Sequence, residues 1–168
     1  MMPTLEQRIA ALEDIENIKR LKHSYCYIAD AGTRDASKME DFAELFVEDA
    51  WVDFDFMGVH KGRDAVLSFY KDQVANILSY SAHMLTNPLI DLDGDRATGK
   101  WYVLVPNTFR AVNQATWLQG VYAEEYVKVD GSWKWQSITV RFDHITPYEQ
   151  GWAKRPMLDL GFLGGTGG

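Results

Sequence analysis

From Leu5 to Ile28 the apolar residues recur in steps of three or four: Leu5, Ile9, Leu12, Ile15, Ile18, Leu21, Tyr25 and Ile28. That spacing predicts a helix with one inward stripe, which drifts around the axis. Thr4 followed by Gln7 is the spacing of a capping box and starts the helix at about Leu5. Ala31-Gly32-Thr33 ends it. A second, short helix is predicted from about Ala36 to Val47, with Asp35 as its cap and Met39, Phe42, Leu45 and Phe46 on its buried side.

At Trp51 the period changes to two. Val52, Phe54 and Phe56 alternate with Trp51, Asp53 and Asp55, the pattern of a half-buried strand whose aspartates face solvent. The stretch GVHKGRD turns the chain into a third helix, with Val66, Phe69, Tyr70, Val74 and Ile77 apolar. Strand-like sequence then runs to about residue 146, punctuated by Asp93-Gly94-Asp95 and Asp130-Gly131, both strong hairpin signals. Helices gathered at the front and long antiparallel strands behind them predict an α+β fold. In it, a cone-shaped, curved sheet is covered on its concave face by three helices, and the cone's interior is a natural pocket. Residues 1–150 read as one domain and 151–168 as a C-terminal tail, frayed over the glycine-rich stretch from Gly161 to Gly168.

Composition narrows the function. The chain is 46% hydrophobic and 13% aromatic, more aromatic than a minimal core needs, which suits a large apolar pocket or a self-association surface. A net charge of −7 with no basic stripe excludes nucleic acid as a partner. No apolar run approaches the ~20 residues that span a bilayer, and no basic amphipathic helix offers membrane binding. With a charged N-terminus lacking a signal-peptide core, the expected location is the cytoplasm. The single cysteine, Cys26, sits among apolar neighbours and reads as packing. Glycine-rich phosphate loops, the G-x-S-x-G elbow, H-E-x-x-H and the dinucleotide fingerprint are all missing. Asp91, Asp93 and Asp95 begin like a calcium loop, but Tyr102 stands where its closing glutamate belongs.

Among the four histidines, His83 stands out. Strand alternation in SYSAHMLTNPLI puts Ser81, His83, Leu85 and Asn87 on one face, so an imidazole can project into an apolar pocket. His23, His60 and His144 read as rim or surface residues. Asp30 lies at the end of the first helix, where the helix dipole disfavours a carboxylate, so it calls for a cationic or hydrogen-bonding partner. Tyr25, five residues earlier, is about 140° away around an ideal helix. Of the adjacent Glu124 and Glu125, at most one can point inward. Arg141 has two readings, an ordinary cross-strand ion pair and an anion clamp.

Several segments together resemble the SnoaL-like family: Tyr25 to Asp30 closing the first helix, GVHKGRDAV opening the third, SAHMLTNP, and VDGSWKW in the last hairpin. Its members share the cone-shaped, cystatin-like fold of nuclear transport factor 2, ketosteroid isomerase and scytalone dehydratase. The resemblance covers roughly residues 5 to 148. Tyr25, Asp30, Ser81-Ala82-His83-Met84 and Arg141 are similar to the site pattern of bile-acid 7α-dehydratase. Asp30 and His83 also resemble the dyad of hexachlorocyclohexane dehydrochlorinase. Scytalone dehydratase carries a second histidine on the next strand, where this chain reads KWYVLVPNTF.

The resemblance implies a lyase that needs no metal or cofactor and performs β-elimination on a hydrophobic ring compound such as a steroid or polyketide. His83 would be the base, Asp30 its orienting partner, Tyr25 a hydrogen-bond donor and Arg141 an anion holder. Strand parity puts Phe54, Trp101 and Leu118 on the pocket wall. The same implied base also suits an isomerase or polyketide cyclase, and the same fold serves non-catalytic ligand-binding modules. A homo-oligomer, trimer or dimer, is the expected assembly.

Overall fold

The structure, a computed structural model, describes residues 2–165. Helix α1 spans Leu5–Gly32, with Thr4 and Gln7 forming the reciprocal capping box. A 3-10 helix follows at Ala36–Leu45, its first turn capped by the Asp35 side chain. Strand β1 (Phe46–Phe54) leads through a tight turn to β2 (Val59–Lys61). Helix α2 begins as Arg63–Ser68, widens into a π turn at Phe69–Val74 and finishes at Ala75–Ile77. The remainder is β3 (Leu78–Ser81), β4 (Met84–Asp93), β5 (Arg96–Phe109), β6 (Gln114–Val129) and β7 (Ser132–Pro147).

These strands form one seven-stranded sheet in the order β2-β1-β7-β6-β5-β3, with β4 also paired to β5. β1 runs parallel to β7 and every other pairing is antiparallel, so the sheet is mixed. Three helices and this curled sheet make the expected α+β half-barrel.

Curvature has identifiable causes. The β6–β7 register shifts at Gln119/Gly120 and again at Glu125/Tyr126, which bends both long strands. Gly120 is required at the first bend, because a Cβ there would collide with the Arg141 carbonyl oxygen. Along β5 the alternation is strict: Ala97, Trp101, Val103, Val105, Asn107 and Phe109 are buried on the concave side. The π turn in α2 lets the consecutive residues Phe69 and Tyr70 both reach the core.

The structure departs from the sequence pattern in several places. The alternation read at Phe56 is not strand: the chain leaves β1 at Phe54, and Phe56 lies half-exposed in a 3-10 turn at Asp55–Met57. The first half of α1 projects beyond the sheet and leaves Leu5, Ile9 and Leu12 exposed, so its stripe is buried only from Ile18 onward. The C-terminal segment does not fray through residue 163. Leu158 N–H donates to the Ile145 carbonyl at 2.7 Å, Ile145 N–H to the Pro156 carbonyl at 3.0 Å, and Phe162 packs edge-on against Phe109. The last three residues of the glycine-rich stretch lie outside the described residues.

Candidate active site

β3 and β4 are two halves of one edge strand, both paired to β5 and separated by Ala82 and His83. The expected uninterrupted strand therefore breaks at the histidine. The break frees His83 N–H from the ladder, and it donates to Asp30 Oδ2 at 3.0 Å. Asp30 Oδ1 accepts from His83 Nδ1 at 2.6 Å and from Ser81 Oγ at 2.6 Å. One carboxylate in the last turn of α1 thus receives three hydrogen bonds from the interrupted edge strand. That partnership answers the unfavourable dipole at its position. Burial alone would raise the Asp30 carboxyl; the hydrogen bonds from His83 and Ser81 outweigh it and hold the group below its ordinary 3.8.

An ionised Asp30 can only accept, so the proton in this hydrogen bond stays on His83 Nδ1. That assigns the neutral ring a tautomer with the Nε2 lone pair free. Asp30 stands behind the ring, whereas His83 lines a hollow of about 80 Å³ under α1 and α2. The walls are almost wholly apolar, including Phe54, Val74, Val105, Leu118 and Phe142. The polar groups on the lining are few: Tyr25, Thr33, Ser81, His83, Asn107 and Tyr122, with no Lys or Arg. The Tyr25 ring meets the imidazole edge-on at 6.1 Å, and its hydroxyl lies 3.5 Å from that of Tyr70. Burial, then the neighbouring Tyr122 and Tyr70 phenols, push the Tyr25 hydroxyl well above its ordinary value, which keeps it protonated. Burial likewise pushes the Cys26 thiol up to about 12, which leaves it inert.

Of the residues picked out in the sequence, Tyr25, His83, Phe54 and Leu118 meet on this hollow, with Asp30 directly behind. Two others do not. Trp101 is buried but packs toward the closed end, where its indole N–H donates to the Tyr126 hydroxyl at 3.2 Å. Arg141 points to the outer face of β7 and pairs with Asp53 Oδ2 at 2.5 Å, its side chain 54% exposed. Its outward parity next to the fully buried Val140 decides this, and the ion-pair reading describes its position.

Asn107 and Tyr122 are lining residues that sequence reasoning passed over. Strand parity already carried the signal, because both share the inward face with Val105 and Trp101. Also unforeseen is the ion pair of Lys22 and Glu124, with both side chains fully buried below the hollow. Among the described residues, no group of three or more His, Cys, Asp or Glu side chains is arranged to hold a metal ion. No helix among them is long and apolar enough to cross a membrane.

A helix-capped cone of this topology is the architecture of the nuclear transport factor 2-like proteins. Within that class, the family model described as SnoaL-like domain matches residues 10–139, and the chain belongs to that family. Among solved structures, it is similar to a hexachlorocyclohexane dehydrochlorinase (LinA) Type2, with a TM-score of 0.75 and 22% identity, covering 83% of this chain and 92% of that one. A putative scytalone dehydratase from Novosphingobium aromaticivorans superposes with a TM-score of 0.73 at 27% identity, over 82% of this chain and 89% of its own. In sequence, the uncharacterized protein Rv2910c of Mycobacterium tuberculosis is 24% identical over 135 residues, 80% of this chain and 90% of that protein.

Proposed function

We propose that the protein is a lyase that performs β-elimination on a hydrophobic ring compound, using its own side chains as the catalytic machinery. The observation that carries this reading is the 2.6 Å contact between His83 Nδ1 and Asp30 Oδ1, with the imidazole bordering an apolar hollow. Likeness to a dehydrochlorinase and to a putative scytalone dehydratase supports the same class of reaction.

In the proposed step, His83 Nε2 takes a proton from the carbon next to the one bearing the leaving group. The C–H electrons form the new double bond and the leaving group departs with the electrons of its own bond. Asp30 holds the ring tautomer and stabilises the imidazolium that forms. A departing hydroxide takes the proton back from the imidazolium and leaves as water; after loss of halide, the imidazolium gives its proton to solvent. Tyr25 donates a hydrogen bond to an oxygen of the substrate.

A positioned base of this kind is worth ~10²–10⁴-fold in rate. Screening hydroxylated and halogenated ring compounds for a new conjugated double bond by ultraviolet absorbance tests the proposal. Wild-type protein is expected to convert at least one compound, and His83→Ala to lose ~10²–10⁴-fold in turnover while keeping its fold. Double-bond migration without loss of water or halide would assign an isomerase instead. Full activity in His83→Ala would refute the base.

A further inference from the structure

A row of three polar residues crosses the cone beside the dyad. Ser81 on β3 pairs in register with Asn107 on β5, which pairs with Thr116 on β6. All three are buried, at 3%, 2% and 2% exposure. Ser81 spends its hydroxyl proton on Asp30. Thr116 spends its own on Asn107 Oδ1 at 2.6 Å.

The Asn107 amide is thereby oriented. Nδ2 donates to the Val105 carbonyl at 3.1 Å, and since a carbonyl can only accept, the nitrogen must lie on that side. One of its two N–H bonds is used. Among the described residues the second makes no hydrogen bond, although Asn107 is buried and lines the hollow. A buried donor without an acceptor is costly, and a ligand oxygen would satisfy it.

Charge on the lining points the same way. With no Lys or Arg on the hollow and Arg141 paired outside, a carboxylate or phosphate substrate would be desolvated without a counter-charge. Tyr25, Tyr122 and Asn107 are instead neutral donors.

We propose that Asn107 is the residue that selects the substrate: its spare N–H binds the carbonyl oxygen of a neutral ring ketone that carries a hydroxyl on the β-carbon. This rests on the elimination reading and names the substrate class it takes. His83 removes the α-proton, and negative charge develops on the carbonyl oxygen, where Asn107 stabilises it. The C–O bond at the β-carbon then breaks, hydroxide takes the proton from the imidazolium, and the products are the enone and water.

The test uses the product-like probe cyclohex-2-enone, ¹³C-labelled at the carbonyl, with cyclohexene as the matched hydrocarbon. Binding is followed by ligand-observed NMR and the bound carbonyl stretch by infrared difference spectroscopy. Wild-type protein should lower the stretch relative to the free probe in an apolar solvent. Asn107→Leu should return it toward the apolar value and weaken enone binding about tenfold, with cyclohexene affinity held within about twofold. Asn107→Ala, which removes both amide N–H groups without adding bulk, should do the same should the leucine variant fail to fold.

An unchanged stretch in both variants overturns the proposal, as does an equal loss of both probes, which would make Asn107 a strut for the β5–β6 hairpin. Failure of wild-type protein to bind the enone also overturns it. His83→Ala separates the two readings. It should keep the wild-type stretch while losing turnover, so retained turnover in that variant sinks the base alone and leaves the Asn107 result standing.

Discussion

Two ionic clusters sit inside this cone, one at its mouth and one at its closed end, and they are built to opposite specifications. At the mouth, Asp30 and His83 keep side-chain exposures of 20% and 13%, and the imidazole retains one nitrogen without a partner among the described residues. At the closed end, the Lys22 and Glu124 side chains are fully buried and paired with each other. The Lys22 ammonium bonds Glu124 and lies 3.4 Å from the Tyr122 ring centroid, while Glu124 also accepts from the Tyr126 hydroxyl. An unspent hydrogen-bonding atom beside a hollow is what distinguishes a site from a strut, and charge or burial alone does not.

The sharpest way to break the comparison is to neutralise the acid in each cluster. Asp30→Asn removes the charge that steadies an imidazolium, and turnover should fall ~10²–10⁴-fold per folded molecule. Its effect on stability is pH-dependent. The folded carboxyl titrates below its ordinary 3.8, so its contribution is fully present above that value and is lost as pH falls through the folded one. Melting curves of Asp30→Asn should therefore show a shallower acid limb below pH 3.8 than wild type. Equal acid limbs in the two proteins would mean that the hydrogen bonds of Asp30 do not favour its charged form.

Glu124→Gln should do the reverse. Removing one partner leaves the buried Lys22 ammonium uncompensated, a loss of about 3–5 kcal/mol in unfolding experiments, while turnover of the molecules that remain folded changes far less. The pair Lys22→Met and Glu124→Leu should regain most of that stability, because an apolar replacement removes both desolvation costs together. Should Glu124→Gln lower turnover as severely as Asp30→Asn with no loss of stability, the closed-end cluster would belong to the catalytic machinery.

The two clusters also differ in how visible they were in the sequence. Helix α1, its capping box, the hairpins and the mixed helix-then-strand order follow from periodicities of three to four and of two, which local steric rules enforce. His83 and Asp30 could be picked out because each broke its local pattern, an imidazole on an apolar strand face and a carboxylate at the wrong end of a helix dipole. Lys22 gave no such signal. It lies between Leu21 and His23 on a charged helix, and its burial depends on Glu124, a partner 102 residues away. The break at Ala82 and His83 was equally hidden, since the alternation of SYSAHMLT runs straight through it. Long-range pairing and strand register, which periodicity does not encode, decide both features.

Arg141 supplies the smallest expected effect and closes the contrast between mouth and surface. Sequence alone allowed an ion pair or an anion clamp, and in the structure its guanidinium bonds Asp53 and the Val140 carbonyl on the outer face of the sheet. Reaching the hollow would require breaking both bonds and carrying a charge past Val140, which is fully buried, without any acidic group on the lining to receive it. Arg141→Ala should therefore leave turnover within about twofold of wild type, as expected for an exposed position away from the chemistry. A loss comparable to that of Asp30→Asn would mean that β7 rearranges when substrate binds and that the site takes an anion after all. In that case the neutral-ketone assignment would fall with it, because both rest on a lining that holds no cation.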